Sequence, residues 1–279
     1  MTETLFSGRR ALWLWMFAAQ AERTWAEALA TARQLAGAKV LLVKALDGQT
    51  WMSAFDSGQG ALDGLARLRQ LQDVAAGQGC EVVPWVVPHD RTDAAAHAAL
   101  GTPLLVDLEP YARFWTDTAA GVVAYLAGLR AGGVRELYVS IDPRPAARAA
   151  LGVAEWAQTV TGLLPQLYWT DFGTTPEACL VYLAQCQALG APVFPVLPGD
   201  GAAAFAGFWA AARAQGCAGV SAWRLGSMDA AALRSFAGLA VAPLSGEDDL
   251  AALRQQLAAL AAERDGLRAT LAAVRQALS

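Results

Sequence analysis

The sequence predicts a closed (β/α)8 TIM barrel followed by a heptad-repeat helix. Eight short apolar runs rich in strand-forming residues recur along the 279 residues, and each interval between them has room for a helix. An open doubly wound sheet would want a glycine-rich phosphate turn after its first strand, and Phe17-Ala18-Ala19-Gln20 stands there instead. Eight units at this length fit one closed ring of parallel strands.

The first run, Ala11–Phe17, is preceded by Arg9-Arg10 and followed by Ala19-Gln20-Ala21, an order that imitates a signal peptide. Reading it as a strand keeps the set of eight complete, so synthesis in the cytoplasm without a signal peptide is the expectation. A helix over Trp25–Leu35 follows, closed by Gly37. The second run is Val40–Leu46, and apolar residues at three- and four-residue spacing predict a helix over Gly60–Gly77. Glu81–Pro88 and Pro103–Glu109 are the third and fourth runs, with a helix over Ala119–Ala131 ended by Gly132-Gly133. The fifth and sixth runs, Glu136–Ile141 and Leu163–Trp169, lead to a helix over Pro176–Leu189. Pro192–Leu197 and Ala218–Arg224 complete the ring, and Asp229–Leu239 is its last helix.

The texture then changes. Residues 1–241 read as the barrel, 242–248 as a linker and 249–279 as a coiled-coil helix. Leu250, Leu253, Leu257, Leu260, Arg264, Leu267, Leu271, Val274 and Leu278 alternate as a and d positions. Glu263 falls at g and Arg268 at the following e, the pairing of a parallel coiled coil, so a homo-oligomer through 249–279 is expected. A helix packed back on its own barrel is the alternative.

Composition narrows the partners. A net charge of -4 offers no basic footprint for nucleic acid. No apolar run reaches the roughly 18–20 residues of a membrane span. Cys80, Cys179, Cys186 and Cys217 lack metal-ligand spacing and read as buried free thiols; no metal or cofactor is expected.

The fourth run ends in Asp107 and Glu109, which share a strand face with Leu105. Two acids side by side at the end of a buried strand are costly unless solvated, paired or used. Active sites of such barrels gather at the carboxyl ends of the strands. Those ends carry Trp15, Lys44, Trp85, Asp107, Glu109, Gln166, Tyr168, Asp171 and Trp223. Carboxylates, amides and flat rings converging on one mouth are the chemistry of a carbohydrate cleft.

On these residues the chain resembles the chitinase-type (β/α)8 glycoside hydrolases, and is similar to the phage-type (β/α)8 lysozymes. The likeness rests on Asp107-Leu108-Glu109, on Gln166-Leu167-Tyr168 and on Trp223. It implies Glu109 as general acid, Asp107 orienting the 2-acetamido group of an N-acetylated polysaccharide, and Tyr168 with Gln166 holding that group. Trp223 would floor the sugar, in a retaining, substrate-assisted reaction on peptidoglycan or chitin. The chain departs from the chitinase pattern at Leu105 and Thr102, where further aspartates are usual. It departs from the lysozyme pattern along Trp13–Phe17, where an aspartate is usual. The competing reading is therefore a catalytically silent barrel, glycan-binding or structural, multimerised by its terminal helix. Barrel plus coiled coil is an architecture expected of a virion or phage-tail component. In that reading Asp107 and Glu109 are barrel-end acids bonded to Lys44 or Arg224.

Overall fold

A computed structural model describes residues 4–241. The linker at 242–248 and the heptad helix at 249–279 lie outside the described residues. Nine strands form one sheet: β1 Arg10–Leu14, β2 Val40–Asp47, β3 Thr50–Trp51, β4 Glu81–Val87, β5 Leu104–Leu108, β6 Leu137–Ile141, β7 Gly162–Pro165, β8 Val196–Leu197 and β9 Val220–Ala222. Their order is β8-β9-β1-β2-β4-β5-β6-β7, all parallel, with β3 as a short antiparallel addition to β2. Parallel bridges Leu163↔Val193 and Gln166↔Val196 close the remaining gap between β7 and β8. The result is an eight-stranded α/β barrel in which β1 sits between β2 and β9.

Alternation along the strands sorts the apolar residues into two layers. Ala11, Trp13, Val40, Leu42, Val83, Trp85, Leu105, Tyr138, Leu164 and Val196 fill the interior. Leu12, Leu14, Leu41, Val43, Val86, Leu104, Val106 and Val139 face outward under the helices. Each helix covers that layer with one stripe. Leu65–Ala76 buries Leu68, Leu71 and Ala75, and Ala119–Ala131 buries Val122, Tyr125, Leu126 and Leu129. Thr118, Thr175 and Asp229 cap their helices with side-chain oxygens, which places each helix start close to where the sequence predicts it. All four cysteines are buried free thiols.

Several elements differ from expectation: the strand expected over Ala11–Phe17 stops at Leu14, that over Leu163–Trp169 stops at Pro165, and that over Pro192–Leu197 is confined to Val196–Leu197. The helix predicted from Gly60 begins only at Leu65. A Cβ at Gly58 or Gly60 would stand 2.4 Å from Phe17, and the stretch makes a turn against that residue, closed by the Ala61 amide on the Gly58 carbonyl at 3.0 Å, before any helix starts. The helix predicted over Trp25–Leu35 is α-helical over Trp25–Ala30 and π-helical over Thr31–Leu35.

The amino-terminal segment plugs the lower end of the barrel. Phe6 meets Tyr138 edge-on at 4.8 Å and Phe194 at 5.2 Å, and the Leu5 amide donates to the Tyr138 hydroxyl at 3.1 Å. A Cβ at Gly219 would lie 1.9 Å from the Phe6 carbonyl oxygen, so the crossing requires glycine there. With one end sealed, the other is left for ligands. No helix among the described residues is long and apolar enough to cross a membrane.

Candidate functional site

The upper end of the barrel opens into a cleft of about 720 Å³, walled by residues of β1, β2, β4 and β5 and by the segments just past β5, β6, β7 and β9. All nine residues that the sequence singles out line it: Trp15, Lys44, Trp85, Asp107, Glu109, Gln166, Tyr168, Asp171 and Trp223.

At its base, β5 carries Asp107 into the interior above Leu105, and Glu109 follows just past the ladder. Gln166 leaves β7 at the closing bridge to Val196, which aims its side chain across the barrel. Its Nε2 donates to Asp107 Oδ1 at 2.9 Å and to Glu109 Oε1 at 2.8 Å, with Ser140 Oγ at 3.1 Å. Ser140 is Asp107's register partner on β6, which puts both on one face. Burial, reinforced by the charge of Glu109, pushes the Asp107 carboxyl well above the usual range. Hydrogen bonds from Ser140 and Gln166 and the Lys44 charge pull part of that back. Burial also raises Glu109, with the Asp142 carboxylate adding to it and Gln166 and Arg144 opposing. Two acids on one donor in a desolvated base favour holding a proton between them.

The ion pairs weighed from the sequence are not formed. Lys44 binds Asp47 at 2.7 Å and lies over the Trp85 ring, and no ion pair among the described residues joins Asp107 or Glu109 to Lys44 or Arg224. Both acids are held by the Gln166 amide instead, with Ser140 also bonded to Asp107.

Aromatic rings make the floor and rim. Trp13, Trp85 and Trp223 meet edge-on with centroids 5.3–5.9 Å apart. Trp13 and Trp85 are each 1% exposed, and their indole N–H groups are used by Ser221 Oγ and the Leu14 carbonyl. They are floor, not platform; Trp15 and Trp223, half-buried, present ring area to a ligand. Tyr168 is buried 6.4 Å from Trp223, its hydroxyl pushed up by burial and by the charges of Asp107, Glu109 and Asp171. Asp171 is exposed on the rim.

Asp142 and Asp171 do not cap helices. Thr175 caps the helix after Asp171, and Asp142 accepts instead from the Arg144 amide at 2.9 Å in a tight turn. Asp142 also binds the Arg144 guanidinium at 2.6 Å and the Tyr111 hydroxyl, while Arg144 lies 4.3 Å over Phe172. Arg144, Phe172, Arg113 and Phe114 line the cleft without having been anticipated. Asp142-Pro143-Arg144-Pro145 is the kind of Asx-turn sequence that could have pointed to Arg144. His89 and Asp200 stay off the lining: His89 binds Asp47 at 2.8 Å and Asp200 accepts from Thr170 at 2.7 Å. Among the described residues no group of three or more His, Cys, Asp or Glu is placed to hold a metal ion.

No protein-family model matches this chain, and no curated protein matches it. Among solved structures it is similar to a family 18 chitinase from Crocus vernus, at 11% identity and a TM-score of 0.51 over 81% of this chain and 95% of that one. A GH113 β-1,4-mannanase aligns at 12% identity and a TM-score of 0.50, over 81% of this chain and 91% of that one. A GH39 β-xylosidase from Caulobacter crescentus aligns at 13% and 0.50, over 80% of this chain and 63% of that one. At such identities the likeness shows the fold, a (β/α)8 barrel, and leaves chemistry to the residues.

Proposed function

We propose that this barrel acts on an N-acetylated polysaccharide of the peptidoglycan or chitin type, with Glu109 as general acid. The supporting observation is the Gln166 amide that joins Asp107 and Glu109 at the base of a cleft rimmed by Trp15 and Trp223. Of the two acids Glu109 is the more open, so a proton held there reaches the oxygen of a bound glycosidic link. As that C–O bond breaks, Glu109 gives its proton to the leaving oxygen. The sugar's own acetamido oxygen, oriented by Asp107, bonds to the anomeric carbon. Water then opens this ring, losing a proton to the Glu109 carboxylate, and the configuration is retained. Tyr168 and Gln166 steady the acetamido group, and Trp223 stacks beneath the ring.

A second reading keeps binding and drops turnover. Leu105, fully buried in the barrel interior, occupies a position where the chitinase-like pattern has an acid, and Trp13–Phe17 lacks the acid of the lysozyme-like one. In either reading residues 249–279 multimerise the barrel.

Tryptophan fluorescence titrated with N-acetylglucosamine oligomers, followed by analysis for cleaved product, tests both. Saturable quenching with cleavage supports the enzyme, and quenching without cleavage supports the silent barrel. No quenching and no cleavage would defeat the two together.

A further inference from the structure

Among the described residues, the cleft holds one partly desolvated cation without a counter-charge. Lys44 is neutralised by Asp47 and Arg144 by Asp142, while Arg113 stands exposed, where a missing partner costs little. Arg224 is different. Its guanidinium is wedged 4.8 Å from the Trp15 ring and 5.8 Å from the Trp223 ring. Its side chain has no hydrogen bond or ion pair among the described residues, and Nη1 is buried without an acceptor. Its backbone, by contrast, is engaged: the amide donates to Ser227 Oγ at 3.0 Å, and the carbonyl accepts from the Ser227 amide at 3.1 Å. A buried donor left unmade is normally filled by water, an ion or a ligand.

We infer that Arg224 forms, with Trp15 and Trp223, a subsite for a carboxylate carried by the N-acetylated sugar stacked on Trp223 or by the sugar next to it. The inference rests on the glycan reading above and narrows it from N-acetylated glycans in general to acidic ones. A guanidinium offers a planar fork to the two carboxylate oxygens, and the indoles beside it hold the fork in plane while excluding water. Two kinds of glycan present such a group beside an N-acetylated sugar: one with a lactyl ether acid and one with a uronate.

Calorimetric titration of the full chain carrying Glu109→Gln separates them. The probes are a tetrasaccharide alternating N-acetylglucosamine with N-acetylmuramate, a hyaluronan tetrasaccharide, and the carboxyl-reduced alcohol of each. At least one acid should bind about tenfold or more tighter than its own alcohol, the lower end of a charge-assisted contact. The acid that does so identifies the source. Adding Arg224→Gln should abolish the difference, and Arg224→Lys, which keeps charge without the fork, should retain part of it. Acid and alcohol binding alike, or a preference that survives Arg224→Gln, overturns the subsite while leaving the glycan reading standing. No binding of any of the four probes removes both.

Discussion

Asp107 and Glu109 share one donor, Nε2 of Gln166, at 2.9 and 2.8 Å. The two acids come from the end of β5 and the amide from just past β7, and the closing bridge at Gln166↔Val196 fixes their meeting. The stability and chemistry of the base of the cleft therefore turn on a single amide.

Gln166→Leu removes that donor and leaves both carboxyls short of a partner. A loss of about 1–3 kcal/mol is expected by chemical denaturation, the cost of unmade buried hydrogen bonds, and larger at pH 8 than at pH 5. A neutral effect at both pH values would show that the bridge carries no energy.

Asp107→Asn reports the buried charge. Burial holds the Asp107 carboxyl above its unfolded value. Its contribution to stability is thus full at low pH and fades as pH rises through the folded value. Asparagine keeps an acceptor for Gln166 and cannot ionise. Relative to the wild type, the variant should gain a few degrees in Tm between pH 4 and pH 8. A Tm difference that does not move with pH contradicts the assignment.

Phe6→Ala tests the lower plug. Phe6 is fully buried against Tyr138 and Phe194, so its removal should cost about 3–5 kcal/mol without altering ligand affinity at the far end. A loss below about 1 kcal/mol would mean that the segment is not a structural part of the barrel.

Truncation after Leu244 removes the predicted heptad helix. Light scattering should then give a monomer where the full chain gives an oligomer. An unchanged oligomeric state would refute the coiled coil.

Much of the barrel was legible because its signal is local. Runs such as Val40–Leu46 and Pro103–Glu109 are apolar on both faces, and only a doubly covered strand rewards that. The two-residue strand at Thr50–Trp51 carries too little pattern to stand out, and the delayed start of the helix at Leu65 depends on a remote contact with Phe17. In the cleft, Asp107 and Glu109 were visible because acids interrupt an apolar strand. The choice of Gln166 as their partner over Lys44 was not, since it depends on how the ring closes. Arg144 was hidden for a similar reason: only the folded turn brings its guanidinium back onto Asp142.

The most direct measurement is hydrolysis of peptidoglycan and chitin by the wild type beside Glu109→Gln, by zymography and release of reducing ends. Activity in the wild type, reduced by about 10²–10⁴ in the variant, is the predicted result for a general acid at this position. Equal activity in the two proteins, or none in either, would contradict the catalytic role assigned to Glu109.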